Sequence, residues 1–526
     1  MAFLGRDAPQ AGGLTTIGGI RFTYPPEPGQ APTDADLAET GETRLTPAIR
    51  AKAAELNHNP VAIHNWVRNT IDYVPTAGAI QSAQDTLDKR RGNATDTASL
   101  LIALLRASGI PARYQWGTID VPAEQAMNWT GGVSHAEAAL QLLNQGGIAA
   151  RGIANAGRIR TIRMEHAWVS AYVNWIPSRG AKDGGWDLTP KQHPNPNAQL
   201  NAWVPLDVSY KQYVYTTGMN LQANVPLDSA TLLAAVQQGA TVTPHYTQNL
   251  NQANLQAQLA SYQNQVKAYI NSTPGGASAT VGDVLGGQRI QTRNFSMLPG
   301  TLAHPVVVLG NQRAELPDEL RWKVALSLHQ NPYDAPNVNV ELPMAQLGEK
   351  RLAISYEPAT PQDKQLIDGA AQTGQTSFSA YLVRHIPKVK LDLDVLGTGH
   401  AQQPGAVGKL NVTLKGPAGE LSRDYQITSG DTAVLTLNAA GTPASKYTDR
   451  ARDYALNELD MARYGLQGLA EEMLHQIGLA WWAQKYAAQD NLAAVLGVVQ
   501  HALPSHALTI APVSVRYFLV MSPGVV

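Results

Sequence analysis

The clearest periodic stretch in the chain runs from residue 93 to 108, where Ala94, Ala98, Leu101, Ile102 and Leu105 recur on one face at helical spacing. Asn93 suits an N-cap, Gly109 suits a stop, and Pro111 forbids continuation. Upstream, Pro47 fits a first helical position, and Asn59-Pro60 opens a second helix carrying Val61, Ile63, Trp66 and Val67. A third helix is predicted over 81–90. Residues 1–44, rich in Gly, Pro, Thr and Asp, predict an extended lead-in with one strand-like piece over 20–24. After the long helix the pattern changes to strands over 112–121, 158–163 and 165–174, with a helical insertion over 134–144. On the last of these strands His166, Trp168, Ser170 and Tyr172 share one face, and Ala167, Val169, Ala171 and Val173 share the other. The Gly/Pro/Asn-rich run 178–201 predicts a loop, and a further strand ends in Trp203-Val204-Pro205-Leu206-Asp207.

Residues 227–270 return to helix with a Gln- and Asn-rich face. Strand signals separated by turn residues then recur at 306–309, 322–328, 352–356, 391–394, 410–414 and 434–437, as in a sandwich or open barrel. The stretch 448–500 is helical and a last strand is predicted over 508–521. The expected division is a lead-in (1–44), a core (45–220), a helical connector (221–284), a β-rich sandwich-like domain (285–445), and a helical segment ending in a strand (446–526).

Composition narrows the options. A length of 526 residues is too great for one compact core. Forty basic residues against 41 acidic ones, with no long basic run, give no support for binding nucleic acid or an anionic membrane. No apolar run is long enough to span a bilayer, since the best, 477–483, runs straight into Gln484 and Lys485. The start lacks the layout of a signal peptide, and the abrupt end suggests a fragment of something longer. The absence of cysteine excludes disulfides and cysteine-ligated metals. No metal or nucleotide cofactor is implied.

Three phrases carry chemistry together: Gly92-Asn93-Ala94-Thr95-Asp96-Thr97-Ala98 with the following Leu104-Leu105-Arg106-Ala107-Ser108-Gly109-Ile110-Pro111-Ala112-Arg113, then Glu165-His166-Ala167-Trp168-Val169, then Trp203 to Asp207. In this order they resemble the transglutaminase-like family of the papain-type superfamily, over about a third of the chain. The match falls short at one residue, because Ala94 stands where the family has its nucleophilic Cys. The resemblance implies an α+β fold in which the helix carrying position 94 packs on an antiparallel sheet carrying His166 and Asp207. It implies a Cys nucleophile at 94, His166 as general base and acid, and Asp207 as the residue orienting the imidazole.

Physical chemistry supports a thiol at that place, since a helix N-terminus carries about half a positive charge and stabilises a thiolate. The N–H of residue 94 would form half an oxyanion hole, with Gln81 or Gln84 as candidates for the other half. Trp168 and Trp203 are candidates for lining a cleft, with core packing as the alternative. Asp96 reads as a structural acid in the first helical turn, and Arg113 as the partner of a carboxylate near the core.

The leading reading is amide acyl transfer on a protein or peptide substrate, by hydrolysis or transamidation, in a chain inactivated at Ala94. The alternative is a natural pseudoenzyme that serves as a protein-binding or toxin-assembly scaffold. Retention of both His166 and Asp207 favours replacement of a cysteine over long-standing loss. Residues 106–121 and 474–482 also resemble segments of bacterial Rhs-type YD-repeat proteins, which implies a secreted or exported assembly.

Overall fold

The computed structural model describes residues 16–17, 20–21, 31–174, 201–243, 247–331, 333–348, 350–373, 379–438, 444–455, 461–496, 503–511 and 518–521. The loop predicted over 178–201 falls almost wholly outside the described residues, as do residues 22–24 of the first strand-like piece and 512–517 of the last strand. The fold is α+β.

The chain divides into two units, one made of residues 1–213, 290–488 and 499–526, the other of 214–289 and 489–498. In the first unit, helices α1 (Pro47–Glu55), α2 (Pro60–Thr70), α3 (Ala83–Lys89) and α4 (Ala94–Ala107) form where the capping residues predict. Thr46, Asn59 and Ser82 cap the first three with their side chains, and Pro47 and Pro60 occupy the first helical positions. Asn93 Oδ1 accepts from Asp96 N at 2.8 Å to cap α4. Helix α4 is buried from Ala94 to Arg106, which makes it the spine of the first core.

Strand β1 (Ala112–Pro122) leads through α5 (Ala123–Trp129) and α6 (Ala136–Gln145) to β2 (Ala150–Asn155), β3 (Arg158–Asn174) and β4 (Asn201–Leu206). Strand β3 is continuous where the sequence predicts two pieces. It pairs antiparallel with β1, placing Gly117 opposite His166, and on its other edge with β2 and then β4, placing Leu206 opposite Val169. Strand β5 (Val306–Arg313) extends the same sheet by pairing with β1, although the sequence pattern groups it with the later strands. Helix α4 packs on β3 and β1, with Leu101, Ile102 and Leu105 in one apolar core with Val169, Ala171 and Val204.

The remainder of the first unit is a two-sheet sandwich. One sheet contains β6 (Lys323–His329), β7 (Val338–Pro343), β11 (Val407–Gly416) and β12 (Gly419–Thr428). The other contains β8 (Leu352–Pro358), β9 (His385–Leu391), β10 (Asp394–Thr398), β13 (Thr432–Asn438), β14 (Ser505–Ala511) and β15 (Phe518–Met521). Leu326, Val412 and Leu414 from the first sheet meet Ile354, Val389 and Leu435 from the second in a common core. Helix α7 (Met461–Leu496) lies on the second sheet, where Leu474 packs with Ala353 and Val434, and Trp482 Nε1 donates to Thr436 O at 3.1 Å. Strands β14 and β15 thus return from beyond the helical segment to the sandwich.

The segment before α3 joins the two cores. Ala79 N donates to Leu320 O at 2.7 Å, Trp322 N to Ala79 O at 2.9 Å, and Trp322 Nε1 to Ala77 O at 2.8 Å. Ile80 belongs by its side chain to the sandwich core.

The second unit, described by itself, is built on helices Ser229–Gln237 and Gln252–Ser272, capped by Asp228 and Asn251. The longer helix has no buried residue, in keeping with its amide-rich sequence.

Candidate active site

Position 94 opens α4 and is 9 % exposed, at the edge of the core. A helix start directs the N–H groups of its first residues outward, and that of residue 94 is among them. Parallel pairing of Asp72–Tyr73 with Arg91–Gly92 fixes the chain just before this point.

His166 and Asp207 come together from adjacent strand positions. His166 Nε2 lies 2.9 Å from Asp207 Oδ2, and both side chains are buried. Asp207 sits just past β4, where Oδ1 accepts from Ser209 N at 2.9 Å, Ser209 Oγ at 2.8 Å and Tyr210 N at 3.1 Å. Burial alone would raise the Asp207 carboxyl, but the His166 charge and these donors outweigh it and hold the group well below the usual carboxylate range. Asp207 therefore stays ionised and favours a proton on Nε2. Nδ1 of His166 is buried and has no hydrogen-bond partner among the described residues. An imidazole with one nitrogen tied to a carboxylate and the other unpartnered can take up and return a proton at the second.

Aromatic packing connects the pair to the head of α4. Trp129, at the end of α5, meets His166 edge-on at 5.3 Å and stacks on Tyr73 at 4.5 Å. Tyr73 pairs directly with Gly92. Trp129 is anchored by its Nε1, which donates to Ser209 O at 3.0 Å.

The other residues predicted from sequence are distributed as follows. Gln81 is buried, and its Nε2 donates to Arg91 O, beside the head of α4. Gln84 accepts from the Thr46 hydroxyl and donates to Asp88 Oδ2 at 3.0 Å, so α1 and its own helix engage both ends of its amide. Trp168 is buried and stacks with His166 at 6.3 Å. Trp203 is also buried, with the Arg113 guanidinium 4.2 Å from its ring centroid and Tyr172 at 5.2 Å. Arg113 in turn pairs with Asp36, Nη2 to Oδ2 at 2.8 Å. Trp203 thus supports the ion pair of the lead-in segment.

Several neighbours of the site gave no sequence signal of their own. Ser209 and Tyr210 hold Asp207 through an Asx-type turn, which the spacing Asp-x-Ser permits. His304, from the loop before β5, meets the Tyr210 ring edge-on at 4.3 Å, and burial lowers its pKa to about 4. Lys211 is fully buried, and burial lowers its pKa to about 7. Its Nζ donates to Ile71 O, next to the strand that meets Gly92. Among the described residues, no group of three or more His, Cys, Asp or Glu side chains is placed to hold a metal ion, and no helix is long and apolar enough to cross a membrane.

The chain is similar to known proteins over parts of its length. An uncharacterized protein of Mycobacterium leprae is 35 % identical over 111 residues, which is 20 % of this chain and 40 % of that protein. A solved structure, of a candidate cysteine protease from Cytophaga hutchinsonii, is 19 % identical, covering 34 % of this chain and 47 % of the other. The TM-score of this match is 0.17. The family model of the Transglutaminase-like superfamily matches residues 43–208, so the chain carries a transglutaminase-like domain.

Proposed function

We propose that this domain is an amide acyl-transfer site of the Cys-His-Asp kind in which Ala94 occupies the position of the nucleophile. The observation that carries the reading is the buried His166, held through Nε2 by Asp207 and unpartnered at Nδ1 among the described residues. In the thiol-bearing form, a sulfur at residue 94 loses its proton to His166 Nδ1 and attacks a peptide or glutamine carbonyl. The resulting thioester passes to water or to an amine. With a methyl group at 94 there is no nucleophilic atom, and the site retains peptide binding without turnover.

The alternative, a natural binding scaffold, is favoured by the same methyl group and by the absence of cysteine from the chain. Assembly with a YD-repeat partner belongs to that alternative. The phrase that prompts it, 474–482, supplies Leu474 and Trp482 to the packing of α7 on the sandwich.

The test is the Ala94→Cys variant exposed to p-nitrophenyl acetate and examined by mass spectrometry. One acetyl group on residue 94 is expected, and it should be absent in the parent chain. Failure to acylate an otherwise folded variant would overturn the acyl-transfer reading in favour of the scaffold.

A further inference from the structure

Asp96, in the first turn of α4, is fully buried. An acid at this place in a helix ordinarily favours the dipole or reaches back to the N-cap amide. Asp96 instead crosses to another segment, where its Oδ1 accepts from Ile80 N at 2.9 Å and from Gln81 N at 3.2 Å. Its Oδ2 has no hydrogen-bond partner among the described residues. Burial raises the carboxyl to about 7, against the opposing effect of the Ile80 and Gln81 backbone donors.

The segment held in this way carries Gln81. A side-chain amide has two N–H donors. One of those on Gln81 Nε2 goes to Arg91 O, which leaves a second beside the start of α4. Gly92 permits this approach, because a Cβ there would stand 3.1 Å from Gln81 Nε2 and 3.0 Å from Asp96 Cβ.

We propose that Asp96 is a positioning residue that pins Ile80 and Gln81 so that the Gln81 amide serves, with the N–H of residue 94, as the second donor to the oxyanion. The proposal rests on the acyl-transfer reading. When a thiolate at position 94 adds to a carbonyl carbon, the carbonyl π pair moves onto oxygen, and these two donors hold the negative charge. Collapse restores the carbonyl and expels the leaving group, which takes a proton from the His166 imidazolium when it is an amine. Asp96 touches neither the substrate nor the reacting atoms.

Two reactions of the Ala94→Cys variant separate this role from that of His166. Alkylation by iodoacetamide needs a thiolate but forms no oxyanion, whereas acetylation by p-nitrophenyl acetate needs both. In this background Asp96→Ala should lower the acetylation rate about 100-fold, the scale for loss of an oxyanion donor, while alkylation keeps its dependence on His166. Asp96→Asn retains an Oδ1 acceptor and should recover most of the lost rate. Gln81→Ala, which leaves Asp96 in place, should reproduce the drop in acetylation.

Undiminished acetylation in Asp96→Ala would overturn the proposal. So would an Asp96→Asn variant as slow as Asp96→Ala, or loss of His166-dependent alkylation in Asp96→Ala, which would mark a collapsed helix start. An Ala94→Cys thiol with no His166 dependence at all would overturn the acyl-transfer reading itself, and the proposal with it.

Discussion

Asp207 and Asp96 are both buried carboxyl groups, and their surroundings drive them in opposite directions. For Asp207 the burial penalty is outweighed by His166 and by donors from Ser209 and Tyr210, so its pKa falls below the unfolded value near 4. Its stabilisation is present above that value and is lost as pH falls. Removing it takes the carboxylate from His166 Nε2, leaving only the Ser209 hydroxyl at 3.3 Å, and leaves the Ser209 and Tyr210 amides without their acceptor. Asp207→Ala is therefore expected to cost about 3–5 kcal/mol, the range for breaking a buried pair. Urea unfolding at neutral pH measures this, and a loss below about 1 kcal/mol would mean that the pair contributes little to the fold.

For Asp96 burial prevails and the pKa rises to about 7. Between the unfolded value near 4 and pH 7 the native state holds a proton that the unfolded chain has released. The associated stability is present at low pH and is lost as pH rises through that window. Asp96→Asn should remove this slope, so that between pH 5 and 8 the variant loses less stability than the parent. The difference should reach a few kcal/mol, because each tenfold change in proton affinity is worth about 1.4 kcal/mol. His304 and Lys211 titrate in both proteins, so the difference isolates Asp96. Parallel stability curves would contradict a protonated Asp96.

At the scale of elements, the head of α4 is where local signals and tertiary demands coincide. Asn93, Gly109 and Pro111 made the helix legible in the sequence, and the His-bearing face of β3 followed from alternation. Gly92 has a role that no local pattern displays. A Cβ there would crowd Asp96, Gln81 and, at 3.2 Å, Thr86 Cγ2. Gly92→Ala is expected to destabilise by about 1–3 kcal/mol, as overpacking does, and thermal unfolding gives the comparison. An unchanged midpoint would show that the three neighbours yield without cost.

The strand partners were not legible, because register and order depend on contacts between distant segments. Val306–Arg313 reads like any later strand, yet it joins the sheet of the first core between Ala112–Pro122 and the short strand Ile20–Arg21. His304, just before that strand, meets Tyr210 beside the site. In the sequence the amides of Gln84 and Gln81 are equivalent candidates, and only the fold brings Thr46 and Asp88 to engage that of Gln84.

At the scale of the first unit, the sandwich supports the segment that carries Gln81. Trp322 is buried and grips Ala77 and Ala79 by hydrogen bonds, while Ile80 enters the sandwich core. Trp322→Ala should cost about 3–5 kcal/mol as a large core truncation. Hydrogen exchange should also show the amides of Ala79 and Ile80 losing protection ahead of those in α4. Equal protection in both segments would show that the sandwich does not brace this turn. Composition gave no hint of this arrangement, since nothing in the sequence marks Trp322 as a partner of residues 77–79.

The most direct test of the account is the pH dependence of iodoacetamide alkylation in Ala94→Cys and in Ala94→Cys/His166→Ala. The account predicts a thiol that reacts well below the free value of ~8.5 in the first protein and reverts to ordinary titration in the second. A thiol that titrates near 8.5 in both would contradict a working dyad and leave the domain a binding scaffold.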